Sequence, residues 1–277
     1  MSSLSEVVEY IAREAVFQKY VKKINYDPLI KQALQGVKMA LERGDDPNMK
    51  GEENGSSAIN MAASYGCPEL VQIFLEHPKT EVNKPNNAGM TALHLAAERG
   101  HLDVLQLLLE HPKRDLQATD PLGRNVLHFA VLSECKKTVE LVLRHYKIHG
   151  ISTNEKTNGG ATALHLVLLR NKPRVLDMLK LMLNNSDIDP NVRNHRGNTP
   201  IMEYLNRFSF WRYSPTAENA PPLYDTQHLH TLMELAHCEK IDLDVKDVQG
   251  RSLEDLVRWG KQENESHLSV HDLCIYS

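Results

Sequence analysis

One phrase recurs down this chain at a nearly fixed interval. Gly55, Gly89 and Gly123 stand 34 residues apart, and Gly160 and Gly197 follow at steps of 37. Two residues after each glycine, the same frame begins: SAINMAA at 57–63, TALHLAA at 91–97, NVLHFAV at 125–131, TALHLVL at 162–168 and TPIMEYL at 199–205. The clearest copy, Gly89 to Glu110, reads as two short helices. Thr91 suits an N-cap, Leu93, Leu95, Ala96 and Ala97 fill the first helix, and Gly100 suits the left-handed residue that ends it. The second helix, His101 to Glu110, carries leucine or valine at 102, 104, 105, 107, 108 and 109, too much for a helix with one buried face. Such a unit needs copies of itself on both sides.

A period near 33 residues with the pattern T-P-L-H-x-A marks the ankyrin repeat. The chain resembles that family over residues 27–260, and Thr91-Ala92-Leu93-His94-Leu95-Ala96-Ala97 is its best copy. The resemblance implies an all-α fold: an ankyrin-repeat α-solenoid of about 6–7 helix-turn-helix units with β-hairpin or loop fingers and helical caps. The repeats are expected at 27–53, 54–86, 87–119, 120–157, 158–193 and 194–246, with a partial cap at 247–260. The sixth is stretched by an insertion at 208–226. In the first, ALQGVKMALERG is expected to supply a turn and a second helix. In the fourth, Glu134 stands where earlier repeats have glycine, which predicts a strained or longer turn. Residues 1–26 show apolar spacings of three and four and are expected to form an N-terminal capping helix, and 261–277 a polar tail.

Several function classes lose ground on composition. A net charge of −4 gives no reason to expect a nucleic-acid partner, which needs a concentrated basic face. Four dispersed cysteines without C-x-x-C argue against a disulfide framework or thiol redox site. His228, His230, His237 and Cys238 cluster, but i, i+2 positions point apart on a helix, so no metal site is expected there. No phosphate-cradling, zinc-protease or nucleophile-elbow motif is present. The chain is expected to be no enzyme and to need no cofactor. An intracellular, cytoplasmic place of action is expected, the nucleus remaining open. The ending Cys274-Ile275-Tyr276-Ser277 has the outline of a prenylation signal, so a membrane enters only if Cys274 is lipidated.

The resemblance implies instead that the chain binds another protein, as an adaptor or scaffold, through a concave surface built from finger tips and first-helix ends. Nine and ten residues after each glycine fall Ser64, Glu98, Leu132, Leu169 and Asn206, and Tyr65, Arg99, Ser133, Arg170 and Arg207. Leu132 and Leu169, rimmed by arginine, make a candidate patch, and the fingers add Met90, Leu122 and Arg124. Phe210, Trp211 and Tyr213 in the insertion are candidate interface anchors. Narrower versions are an IκB-like inhibitor or retention factor of a transcription regulator, and a membrane-recruited adaptor or host-directed effector. No D-S-G-x-x-S degron supports the first.

Overall fold

The computed structural model describes residues 27–51, 54–169, 175–211 and 238–252 (less Leu243 and Val248), with Val8, Ile11 and Leu235 besides. It divides into two compact units, Met1–Ile151 and Ser152–Ser277, taken here one at a time. Among the described residues the regular structure is helical, as the all-α class requires. The fingers are turn-closed loops, and an isolated antiparallel bridge joins Lys246 to Ser252.

The first unit holds α1 (Asp27–Glu42), α2 (Ala58–Tyr65), α3 (Pro68–Glu76), α4 (Ala92–Arg99), α5 (Leu102–Glu110), α6 (Val126–Leu132) and α7 (Lys136–His149). Helices α2, α4 and α6 pack on one another as an inner row, and α3, α5 and α7 as an outer row. Each inner helix is joined to its outer neighbour by only two or three residues, so the pair runs antiparallel. Between the rows lie Ile59, Leu70, Phe74, Leu105, Leu108, Leu127, Phe129 and Tyr146, all essentially inaccessible. Pro68 occupies the first turn of α3, where its missing N–H leaves no gap in the helical ladder. Val8 and Ile11 are helical and buried. The rest of the expected N-terminal cap lies outside the described residues.

Two expectations need adjustment. The first repeat has no internal turn: α1 runs unbroken through Gly36, whose surroundings are open and whose backbone stays helical. The turn after α6 is indeed strained. The α2–α3 and α4–α5 turns place Gly66 and Gly100 at φ 71° and 70°, and Glu134 takes the matching left-handed conformation at φ 59°.

The second unit packs α8 (Ala163–Leu169) against α9 (Val175–Leu183) and α10 (Pro200–Trp211). Leu164, Leu168, Leu179, Met182 and Met202 fill its core. Helix α10 continues through Trp211, so the first four residues assigned to the 208–226 insertion extend a helix, and 212–226 lie outside the described residues.

Between consecutive layers, a recurring asparagine replaces sheet-like pairing. Asn83 Nδ2 donates to the Lys113 carbonyl at 2.7 Å while its Oδ1 accepts the Asp115 N–H at 3.0 Å. Asn48 makes the same pair with Lys79 and Glu81, at 2.8 and 2.8 Å. Asn154 does so with Asp187 and Asp189, and Asn191 with Lys240 and Asp242. An amide matches this role because it presents one donor and one acceptor side by side. The polar stretch after α7 is thus tied to the loop at 187–189, and Thr153 Oγ1 adds a bond to the Asp187 carbonyl at 2.7 Å.

Two predictions follow from these joints. Releasing the left-handed strain by Glu134→Gly raises unfolding stability by about 0.5–1 kcal/mol, the strain relieved exceeding the backbone entropy that glycine adds. Asn83→Ala removes both bonds to the next layer and lowers stability by about 2 kcal/mol. Urea unfolding followed by circular dichroism measures both.

Candidate partner-binding surface

Most of the recurring polar positions of the frame are occupied with the frame itself. His94 is buried at the start of α4, where its Nδ1 accepts the Thr91 N–H at 3.2 Å and Thr91 Oγ1 accepts the His94 N–H at 3.4 Å. This is a capping box with histidine as the third residue. Nε2 must then carry the ring proton, which it donates to the Ala118 carbonyl at 3.0 Å in the next loop. His165 repeats both contacts with Thr162 (3.1 Å) and the Asn198 carbonyl (3.1 Å). His128 forms the box with Asn125. In the second repeat Asn60 takes the slot, and its Nδ2 donates to the Lys84 carbonyl at 3.0 Å. There the box is incomplete: Ser57 Oγ and Asn60 Oδ1 are buried without a partner. Burial holds the His94 and His165 rings below the ordinary histidine value, since charging either would place a second N–H against the Thr91 or Thr162 N–H.

The finger tips obey a second local code, which sequence reasoning missed although D-x-x-G-R appears at both 120–124 and 247–251. Asp120 Oδ1 accepts the N–H groups of Leu122 and Arg124 at 3.0 and 2.8 Å, and Oδ2 takes the Arg124 guanidinium at 2.7 Å. Asp247 does the same with Gln249 and Arg251. Burial opposes ionisation of Asp247, but the Arg251 and Gln249 N–H groups and the Arg251 guanidinium outweigh it and hold the carboxyl below its usual range.

Against this background the candidate contact residues separate. Leu122 projects from its finger, 58% exposed. Arg99 is exposed at the end of α4, with Glu98 half-buried beside it, and Tyr65 and Leu132 are half-buried at the ends of α2 and α6. Packing of α2, α4 and α6 brings these helix ends into one column of the first unit. Three residues leave the candidate set. Met90 is buried, because Asn86 exchanges bonds with both its N–H and its carbonyl and turns the finger inward. Arg124 is spent on Asp120 and stacks 4.6 Å over the Phe129 ring. Ser133 ends α6, its Oγ donating to the Ala130 carbonyl at 2.7 Å and accepting the Cys135 N–H at 3.1 Å.

Leu169 ends α8, half-buried, in the second unit. Leu132 ends α6 in the first unit. Asn206, on α10, accepts from Arg251 at 3.1 Å. Arg207, Phe210 and Trp211 lie on the backbone of α10. Arg170, Tyr213 and Cys274 lie outside the described residues, as do His228, His230 and His237.

Among the described residues no group of three or more histidine, cysteine, aspartate or glutamate side chains is arranged to hold a metal, and no helix is long and apolar enough to cross a membrane. Burial pushes the Cys67 thiol up to about 11, with Glu69 alongside, which makes it a poor nucleophile.

Comparison with models of known families matches ankyrin repeats, in three copies, over residues 21–120 and again over 80–156, and a further ankyrin repeat over 159–195. No curated protein matches the chain.

The buried histidines set a pH response. Their folded-state values lie below 6.5, so beneath that pH the unfolded chain binds protons that the folded chain refuses. Stability is full above about pH 6.5 and falls as pH drops through the folded values. His94→Asn, which copies the natural Asn60, removes about one proton from that slope. Urea unfolding at a series of pH values reads the change.

Proposed function

This chain belongs to the ankyrin-repeat family, and on that premise we propose that it is a non-catalytic adaptor or scaffold that binds a partner protein through the inner face of its first unit. Ankyrin repeats generally mediate protein–protein contacts. The observation that carries the reading is the column of inner-helix ends. Tyr65, Glu98, Arg99 and Leu132 are solvent-reachable on stacked helices, while Thr91, His94, Asn125 and His128 of the frame around them are already bonded within the repeats. Such a column carries a tyrosine and an arginine, two of the types that anchor interfaces, with an aliphatic group beside them. Leu122 adds an apolar finger tip to the same unit.

A non-catalytic role fits the titration behaviour of the buried polar groups. His94 and His165 are held neutral by bonds that build the fold, and the Cys67 thiol is suppressed. The place of action, on this reading, is the cytoplasm or the nucleus. An IκB-like inhibitor, a host-directed effector and an adaptor lipidated at Cys274 are narrower forms of the same proposal, and no described residue favours one over another.

The test compares proteins that co-purify with the intact chain and with an Arg99→Glu/Leu132→Asp double variant of equal helicity. Both substitutions fall at helix ends that water reaches, so stability changes by less than about 1 kcal/mol. Partners of the inner face drop at least tenfold in recovery with the variant. Recovery unchanged across all captured proteins overturns the assignment.

A further inference from the structure

A second periodicity runs down the outer row, and among the described residues the frame uses two of its lysine carbonyls but none of its lysine ammonium groups. His77-Pro78-Lys79, His111-Pro112-Lys113 and His145-Tyr146-Lys147 repeat at the same 34-residue interval as the glycines. Two of these triplets begin at the C-caps of α3 and α5, and the third lies in the last turns of the longer α7. Lys79, Lys113, Arg144 and Lys147 are exposed, and none makes an ion pair among the described residues. Arg114, half-buried among them, is given no carboxylate. Its Nη1 donates to the His111 carbonyl at 3.0 Å, its Nη2 faces His149 Nε2, and its Nε is buried without an acceptor.

The charge is concentrated rather than neutralised. The rings of His111 and His145 are held below the ordinary histidine value by partial burial and then by the neighbouring cations: Lys113 and Arg114 for His111, and Arg114, Arg144 and His149 for His145. Carboxylates are interspersed with the cations and keep their charge. Glu76 and Glu110 accept the neutral amides of Gln72 and Gln106 at 2.7 and 2.9 Å, and Asp115 accepts the Gln117 N–H at 2.9 Å, but none pairs with a ridge cation among the described residues. Glu110 alone supports the charged form of His145. Asp45 and Asp46 border the ridge at its Lys79 end, in a shallow cavity they share with His77.

We propose that this ridge, at the C-terminal ends of α3, α5 and α7, is a docking surface for an extended, acidic segment of a partner protein. Packed helices stand about 8–10 Å apart, so successive lysines step by that distance from layer to layer. A peptide in the extended polyproline-II conformation rises about 3.1 Å per residue with three residues per turn, so one side chain in three faces the ridge at steps of roughly 9 Å. A carboxylate at each third position is the complementary spacing. The 67% exposed Ile148, next to Lys147, offers an apolar contact at one end. Nucleic acid fits less well, because Glu76 and Glu110 punctuate the ridge and would repel a continuous phosphate backbone.

The ridge lies at the opposite end of each helical layer from the Arg99–Leu132 column, since paired helices are antiparallel. Its occupancy is therefore independent of the inner face. Binding of carboxylates also favours the protonated forms of His111 and His145, whose rings are held below the ordinary histidine value, so affinity rises as pH falls below about 6.5.

The probe is a fluorescein-labelled serine peptide with glutamate at every third position, titrated with the full chain and followed by anisotropy. Expected results are salt-sensitive binding to the wild-type chain and at least tenfold weaker binding to Lys79→Glu/Lys113→Glu/Lys147→Glu. An Arg99→Glu/Leu132→Asp chain binds as the wild type does, which separates this surface from the inner one. A peptide with the same glutamates in one block binds severalfold more weakly. Equal binding by the lysine variant at matched helicity overturns the proposal, as does tighter binding of a single-stranded oligonucleotide of equal charge.

Discussion

A helix of seven to nine residues does not persist alone in water, because nucleation costs more than so few hydrogen bonds return. Apart from α1, α7 and α10, every described helix of this protein is that short. Each exists because its neighbours cover it. Phe74, Leu105, Leu108 and Phe129 have no accessible surface worth the name, and they reach this state only when adjacent layers are in place. Stability therefore accumulates by layers, and any change at a joint is felt by the layers on both sides.

The joints themselves are polar. Buried histidines close the start of an inner helix and reach a carbonyl of the next loop, while asparagines such as Asn48 and Asn83 clamp a carbonyl and an N–H of the next layer. Backbone groups that a β-sheet would pair in rows are paired here by side chains. That arrangement leaves exposed positions such as Arg99 and Leu122 outside the joints. A frame of this kind carries many different recognition surfaces without change to its joints.

Much of this was legible in the sequence, and the reason is local. Thr91 and Gly100 each perform a task settled within a few residues, so their spacing reveals cap and turn. Glu134 was legible for the same reason, since a left-handed position announces itself when its glycine is missing. Met90 and Arg124 were not, because their fates depend on side chains of the finger: Asn86 draws one inward and Asp120 captures the other. The asparagine clamp was hidden more deeply. Asparagine in a turn-rich stretch satisfies a local reading completely, and nothing in the one-dimensional pattern shows that its amide points to a layer 30 residues away.

The fingers also touch one another directly. Asn87 N–H donates to the Asn54 carbonyl at 3.0 Å, and His195 N–H to the Gly159 carbonyl at 3.2 Å. The residue at this place in the finger between them is Pro121, which has no N–H to give, and its ring instead lies where a side chain on Gly89 would stand. Between the second and third fingers, close packing of the Pro121 ring on Gly89 stands where the other fingers place an N–H contact. A side chain at position 89 would have to displace that ring, so the spacing of the two fingers is set by shape.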